Sequence, residues 1–313
     1  MSGSFFSLPE ETKLSYGWTT PEANRGYSAP GREKVSVLTD KDEIEKIRKS
    51  TPDLKETFEI GREGEPDHPN QWPDETREGV KETVMGFKEV MLGFFDRCKA
   101  LHVEVMRAIA VGMGLDGEFF DGFVDVGDNT LRLLHYPPVE ASVFKTDAVR
   151  AGAHSDYGSI TLYVYWKFRG EAMLTLVYRL FQDSRGGLQV KSPEGTFVDA
   201  TPIEGTVVVN AGDLLARWSN DTIKSTIHRV VEPPTKSDKY PARYSIAYAS
   251  KPPKILPECL ESPTYSICYR YFCNPNFKSH IEAIPGTYTT EAEKKYDGIN
   301  SGDYLVQRLA ATY

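Results

Sequence analysis

Cysteine is scarce in this 313-residue chain: Cys98, Cys259, Cys268 and Cys273 are the only four, and none forms a Cys-x-x-Cys pair. That argues against a thiolate zinc cluster or a disulfide framework and suits a reducing cytoplasm. Long apolar runs are also missing. None reaches the ~18 residues of a membrane-spanning helix. The opening MSGSFFSLPEETK lacks the basic stretch and apolar core of a secretory leader. Positive charge is in deficit. Thirty-seven Lys and Arg face 45 Asp and Glu, giving a net charge of −8 and a pI of about 5.4. Such a surface is a poor partner for a nucleic-acid backbone. No internal repeat is visible. These absences leave a cytoplasmic chain with no nucleic-acid and no membrane partner; a monomer is the expected state.

What is present changes character along the chain. LPEETKLSYGW predicts a short helix, with Pro9 in the first turn and Glu10 and Glu11 at the positive end of the dipole. Residues 20–75 are rich in Gly, Pro and charge and read mostly as loop. Apolar residues recur at three and four over 78–114, predicting one long amphipathic helix that stops at Gly114. From about residue 130 short β-branched and aromatic runs take over: TLRLLHY, GSITL, LQVKS, GTVVVNAGDLLARWS, TIHRVV and RYSIAY. Many short strands after a helix point to an α+β, mainly β architecture, a sandwich or barrel with a helical layer. The expected division is a helical and loop region over 1–125, a β core over 126–290 and a C-terminal helix over 291–313.

Three His-x-acid pairs occur, where six histidines and 45 acidic residues produce about one by chance. His102 and Glu104 fall in the long helix, where a spacing of two puts them on different faces. His280 and Glu282 have no third candidate ligand after them. His154 and Asp156 lie at the mouth of a strand, where a spacing of two points both side chains to one face. His228, on a second strand, supplies a third donor. Two imidazoles and a carboxylate on a β scaffold form the facial triad of non-haem iron and leave three positions open. Zinc hydrolases use similar sets, so the triad alone does not choose the metal. Arg243 and Ser245 add discrimination. They share one strand face, and a guanidinium fork with a hydroxyl suits the far carboxylate of a dicarboxylate cosubstrate.

The order His154-x-Asp156, His228, Arg243-x-Ser245, with LLHYPPV, VVVNAGDLLARWSND, KSTIHRVVEPP and FCNPN, resembles the 2-oxoglutarate/Fe(II) dioxygenases of the isopenicillin-N-synthase-like group. GWTTPEANRGYSAPGREKVS, KALHVEVMRAIAVGMG and INSGDYLVQRLAATY are similar to the thymine-oxidising branch of that family. The resemblance covers nearly the whole chain. It implies a double-stranded β-helix (jelly roll) flanked by helices, with Fe(II), 2-oxoglutarate and O2 as cofactor and cosubstrates. His154, Asp156 and His228 would bind iron. Arg243, Ser245 and Tyr136 would bind 2-oxoglutarate, although Leu134 stands where many relatives carry an Asn. Tyr157 and Phe272 would stack on thymine, with Asn24 and Arg132 hydrogen-bonding its edge. The implied reaction oxidises the 5-methyl group to 5-hydroxymethyluracil, then to the aldehyde and acid, releasing succinate and CO2. The alternatives are another small planar substrate, or an inactive product of mis-splicing.

That last alternative comes from three departures. Relatives carry several dozen more N-terminal residues, so the chain reads as truncated there. Two segments, 163–179 and 249–271, interrupt runs that relatives keep continuous, and both read as translated introns. The second ends in TYSICYRYF, a copy of RYSIAY with Thr264 in place of the Arg. Should that copy take the strand position, the expected cosubstrate anchor would be displaced.

Overall fold

A computed structural model describes residues 1–20, 23–33, 53–146, 150–167, 187–201, 203, 206–232, 237–240, 243–244 and 266–312. The fold is a jelly roll of two mainly antiparallel sheets with helices packed outside; Arg243–Tyr244 and Ser266–Cys273 form a parallel pair. The large sheet orders its strands Gly26–Ser28, Glu56–Gly61, Thr130–Tyr136, Arg243–Tyr244, Ser266–Cys273, Ile160–Lys167 and Val208–Ala211. The small one orders Ala151–His154, His228–Val230, Leu188–Lys191 and Phe197–Asp199.

Period-2 alternation gives the large sheet two different faces. Leu131, Leu133, Phe58, Ile60, Ile160, Leu162, Tyr271 and Cys273 pack with the helix Phe87–Gly112 into one apolar core. That helix buries Phe87, Met91, Phe95, Cys98, His102, Met106 and Ala110, a stripe at spacings of three and four. Intervening strand residues point the other way. Thr130, Arg132, Arg270 and Phe272 line a cavity, and His154 of the small sheet lines it too, so the cavity lies between the sheets.

The single helix expected over 78–114 is two: Lys81–Val84 and Phe87–Gly112. Gly86 takes φ 77° and breaks the chain between them. The Glu75 carboxylate then accepts from the Gly86 and Lys88 amides and closes the new helix start. Apolar spacing could not reveal the break, because Val80, Val84, Phe87 and Met91 are all buried across it. The far end stops at Gly112, with Met113 as its cap and Gly114 just beyond at φ 74°.

Two strands lie in the region read as loop, Gly26–Ser28 and Glu56–Gly61, both wholly buried. Their charged residues hid them. Glu56 sits inside the protein with Lys13 and His135, and Glu59 with Arg132. GTVVVNAGDLLARWS divides into the strand Val208–Ala211 and the helix Asp213–Trp218.

The strand from GSITL continues past Leu162 into the segment read as an insert. It runs to Lys167 and pairs along its whole length with Ser266–Cys273. The copied segment thus forms the strand between Ile160–Lys167 and Thr130–Tyr136, while Arg243–Tyr244 pairs alongside, opposite Tyr136 and His135. Alternating aromatic residues in both segments favour this pairing.

Backbone crossings beneath the cavity leave no room for side chains. A Cβ on Gly158 would stand 2.3 Å from the Cys273 carbonyl oxygen, and one on Gly212 would stand 2.3 Å from that of Gly158. Gly158→Ala is expected to cost about 1–3 kcal/mol, the usual penalty of overpacking. An unchanged urea midpoint would contradict this. Among the described residues no helix is long and apolar enough to cross a membrane.

Candidate metal centre and adjoining cavity

His154 ends one strand of the small sheet and His228 begins its neighbour. The two are directly paired, so both imidazoles leave the sheet on one face, with ring centroids 4.3 Å apart. Asp156 follows two residues later, in the turn toward Ile160. Its carbonyl accepts the Asp213 amide at 2.8 Å, which fixes the turn. One donor atom from each of His154, Asp156 and His228 lies within 4.8 Å of the others, and all three residues are buried.

The ring tautomers suit a metal. His154 donates Nδ1–H to the Gly152 carbonyl at 2.7 Å, and His228 donates its own to Thr226 at 3.1 Å. Each Nε2 is left with its lone pair toward the centre. Burial, reinforced by the other imidazole and by Arg270, holds the His154 pKa well below the ordinary histidine range. Burial also lowers that of His228, against the pull of Asp156. For Asp156, burial pushes upward, but His228, Arg270 and the hydrogen bond from Asn210 outweigh it and hold the carboxyl below its usual value. Two neutral imidazoles and one carboxylate, all inward, fit a divalent ion that binds nitrogen and oxygen.

Around this cluster stand groups that sequence spacing did not single out. Asn210 donates to Asp156 Oδ2 at 2.7 Å. Arg270 Nη1 lies 3.3 Å from His154 Nε2. The Tyr163 hydroxyl lies 2.7 Å from His228 Nε2 and 3.0 Å from Asp156 Oδ2. The available signal was a polar residue inside an apolar or aromatic run, as in VVVNA and YRYF, but its face depends on pairing partners. Asn210→Ala is expected to weaken divalent-metal binding about 10- to 100-fold, the usual cost of losing an outer partner. Equal Co(II) dissociation constants for wild type and variant would refute it.

The cavity holds about 430 Å³, within the range of small-molecule sites. It brings together Asn24, Arg132, Tyr157 and Phe272 beside His154 and Asp156. Arg132 reaches Glu33 at 3.0 Å and Glu59 at 2.9 Å, and its guanidinium carbon lies 5.1 Å from the Phe272 ring centroid. Glu33 also meets Lys55 at 3.3 Å. Burial pushes the Glu33 carboxyl up, but Arg132 and Lys55 overcome it and bring it to about 2. Asn24 adopts φ 46°, and its side-chain oxygen is shielded from solvent with no donor among the described residues. Tyr157 hydrogen-bonds Thr312, and Arg308 lies 4.5 Å from its ring centroid, so the helix Ser301–Thr312 closes this end.

Tyr136 is buried with Arg150 5.6 Å from its ring centroid, and it is not among the residues lining the cavity. Arg243 belongs to the two-residue strand opposite Tyr136. Its side chain, and Ser245 altogether, lie outside the described residues.

Residues 164–252 match the 2OG-Fe(II) oxygenase superfamily, and residues 1–75 match the N-terminal region of non-haem dioxygenases in morphine synthesis. A 2-oxoglutarate-Fe(II) type oxidoreductase of Metarhizium rileyi is 34% identical over 319 residues, covering 100% of this chain and 77% of the relative. Among solved structures, full-length Neurospora crassa thymine 7-hydroxylase in complex with alpha-KG and thymine is 62% identical. It matches with a TM-score of 0.78 and covers 100% of this chain and 81% of that one. The same protein with alpha-KG and 5-formyluracil matches at 57% identity and a TM-score of 0.75 over 99% and 79% of the two chains. The chain belongs to the 2OG-Fe(II) oxygenase superfamily and is a 2-oxoglutarate-dependent dioxygenase that works with Fe(II) and O2.

Proposed function

We propose that the chain oxidises the 5-methyl group of thymine to 5-hydroxymethyluracil and onward to the aldehyde and acid, with release of succinate and CO2. The observation that carries this reading is the cavity wall. Two aromatic rings, an amide oxygen without a donor and a guanidinium pinned by two carboxylates converge beside His154 and Asp156. A flat pyrimidine has faces for the rings and an edge of alternating N–H and carbonyl groups. Leaving the Asn24 oxygen unpaired costs about 1–3 kcal/mol, which a ligand N–H would offset.

In this reading His154, Asp156 and His228 hold the iron, which supplies the oxidising chemistry when bound. Arg243 and Ser245 hold the far carboxylate of 2-oxoglutarate, and Tyr136 touches its other end. Arg270 stands at the other end, next to His154, where it can hold the keto-acid carboxylate. Tyr157 and Phe272 sandwich the pyrimidine, Arg132 donates to a carbonyl, and Asn24 accepts from an N–H. The helix Ser301–Thr312 keeps water from the reacting methyl group.

Two measurements test this. Anaerobic Fe(II) titration in the presence of 2-oxoglutarate should produce the visible charge-transfer band of the chelate. Succinate formation should be faster with thymine than with other pyrimidines or other small planar compounds. Equal rates would remove the substrate assignment, and a chain with iron but no turnover would support the inactive alternative.

A further inference from the structure

We propose that Tyr163 is a fourth protein donor to the metal centre, its phenol oxygen placed beside His228 and Asp156. This rests on the metal assignment above and adds a ligand that the His–Asp–His set does not contain. Tyr163 lies on the strand Ile160–Lys167. Ile160 and Leu162 face the apolar core, so alternation sends Thr161 and Tyr163 toward the metal triad. The side chain is 1% exposed.

Distance is the first argument. Donors about 2.1 Å from a six-coordinate ion lie about 3.0 Å apart when adjacent in its shell. The Tyr163 oxygen is 2.7 Å from His228 Nε2 and 3.0 Å from Asp156 Oδ2. Both distances suit a neighbouring ligand.

Protons supply the second. The His228 ring hydrogen is already given to the Thr226 carbonyl, so Nε2 offers a lone pair. Asp156 Oδ2 is an acceptor as well. One phenol proton therefore serves two strong acceptors, and the phenol oxygen adds lone pairs of its own. A cation at this point would meet all three atoms at once.

Rigidity supplies the third. The Tyr163 ring stands at 89° to the His228 ring with centroids 5.7 Å apart, and the Arg270 guanidinium lies 5.3 Å from its centroid. The oxygen is held in place by packing and does not depend on a mobile side chain.

Coordination breaks the phenol O–H bond, releases that proton to solvent and forms one oxygen–metal bond without oxidising the tyrosine. It also changes the count of open positions. Three protein donors leave three, whereas four leave two; a chelating 2-oxoacid would fill both and leave none for O2, so Tyr163 is a donor of the resting centre that must leave before turnover. Tyr163 then competes with the cosubstrates for a position.

The test uses the full chain loaded anaerobically with Fe(II) in the absence of 2-oxoglutarate. One equivalent of ferricyanide then removes one electron from the iron. Wild type should develop a visible phenolate-to-Fe(III) charge-transfer band, with resonance-Raman ring modes that shift on ring deuteration of tyrosine. Tyr163→Phe should lose the band, and its Co(II) affinity should fall about tenfold or more. Iron binding and a 2-oxoglutarate chelate band without any phenolate band would overturn Tyr163 as a donor and leave the triad standing. Equal or tighter Co(II) binding by Tyr163→Phe would overturn it too, marking the phenol as a cap on His228. A wild type that binds no iron would overturn the triad and this proposal together. The wild-type spectrum is read on its own, so poor folding of the variant cannot hide the answer.

Discussion

Asp156→Ala is expected to abolish the Fe(II)–2-oxoglutarate band and reduce metal affinity by more than about 100-fold, beyond the upper end for losing an outer partner. The argument begins with charge. His154 and His228 are neutral, held so by burial, and Asp156 is the anion of the cluster. Removing it leaves two imidazoles to hold a dication in a dry site. Folding should survive. Deleting the carboxylate relieves a desolvation cost and forfeits the interactions that outweigh it; Tyr163 keeps His228 Nε2 as an acceptor, and Asn210 loses the acceptor it has in Asp156. The informative result is the contrast between a near-normal urea midpoint and lost iron, measured by metal analysis after desalting. Stoichiometric iron in Asp156→Ala would end the assignment of this cluster as the metal site.

Arg132→Ala is expected to destabilise the fold by about 3–5 kcal/mol, the usual cost of removing one partner from a buried ionic group. Its guanidinium lies between Glu33 and Glu59, and all three side chains are nearly inaccessible to solvent. Without Arg132 two carboxylates face each other in a dry interior, with Lys55 left beside Glu33. Glu33, now held at about 2, would lose Arg132, the largest of the three cations responsible, and keep Lys55 and Arg270. The sign of the pH effect follows. Glu59, which burial already raises above its usual value, would lose the cation that opposes this, and Glu33 would be less depressed, so relative to wild type the folded variant takes up protons. The variant's stability relative to wild type should rise as pH falls, and its deficit should be smaller near about pH 5 than near about pH 8. Urea midpoints at the two pH values measure this. A deficit that grows on acidification would show that Glu33 and Glu59 are not the groups left uncompensated. Thymine-dependent succinate formation should be lost as well, because the same guanidinium lines the cavity.

How much of this could be read without coordinates depended on what each residue does. The metal triad was legible because coordination demands particular residue types, and strand periodicity brings spacings of two to one face. The structure then pairs His154 with His228 across neighbouring strands. Asn24 was legible only through family resemblance, since one asparagine in a turn carries no local signal. Glu56 and Glu59 were illegible as strand residues. Each is buried beside a cation distant in the chain, Lys13 or Arg132, and no local pattern of hydrophobicity shows that. The break at Gly86 was illegible for the opposite reason, because the apolar stripe continues across it.

The segments 163–179 and 249–271 mark the boundary most clearly. Sequence showed two related runs, RYSIAY and TYSICYRYF, either of which could form the same strand. Local propensity is almost equal for both. Pairing decided between them: Ser266–Cys273 meets Ile160–Lys167 over eight residues, whereas Arg243–Tyr244 is paired over two. With that choice came Arg270 beside His154 and Tyr163 beside His228. The amino-acid sequence by itself determined the donor types, the strand-rich core and the family, because these rest on residue identity and short-range period. Only the tertiary structure decided which guanidinium and which phenol reach the metal site, because that depends on the register of strands more than a hundred residues apart.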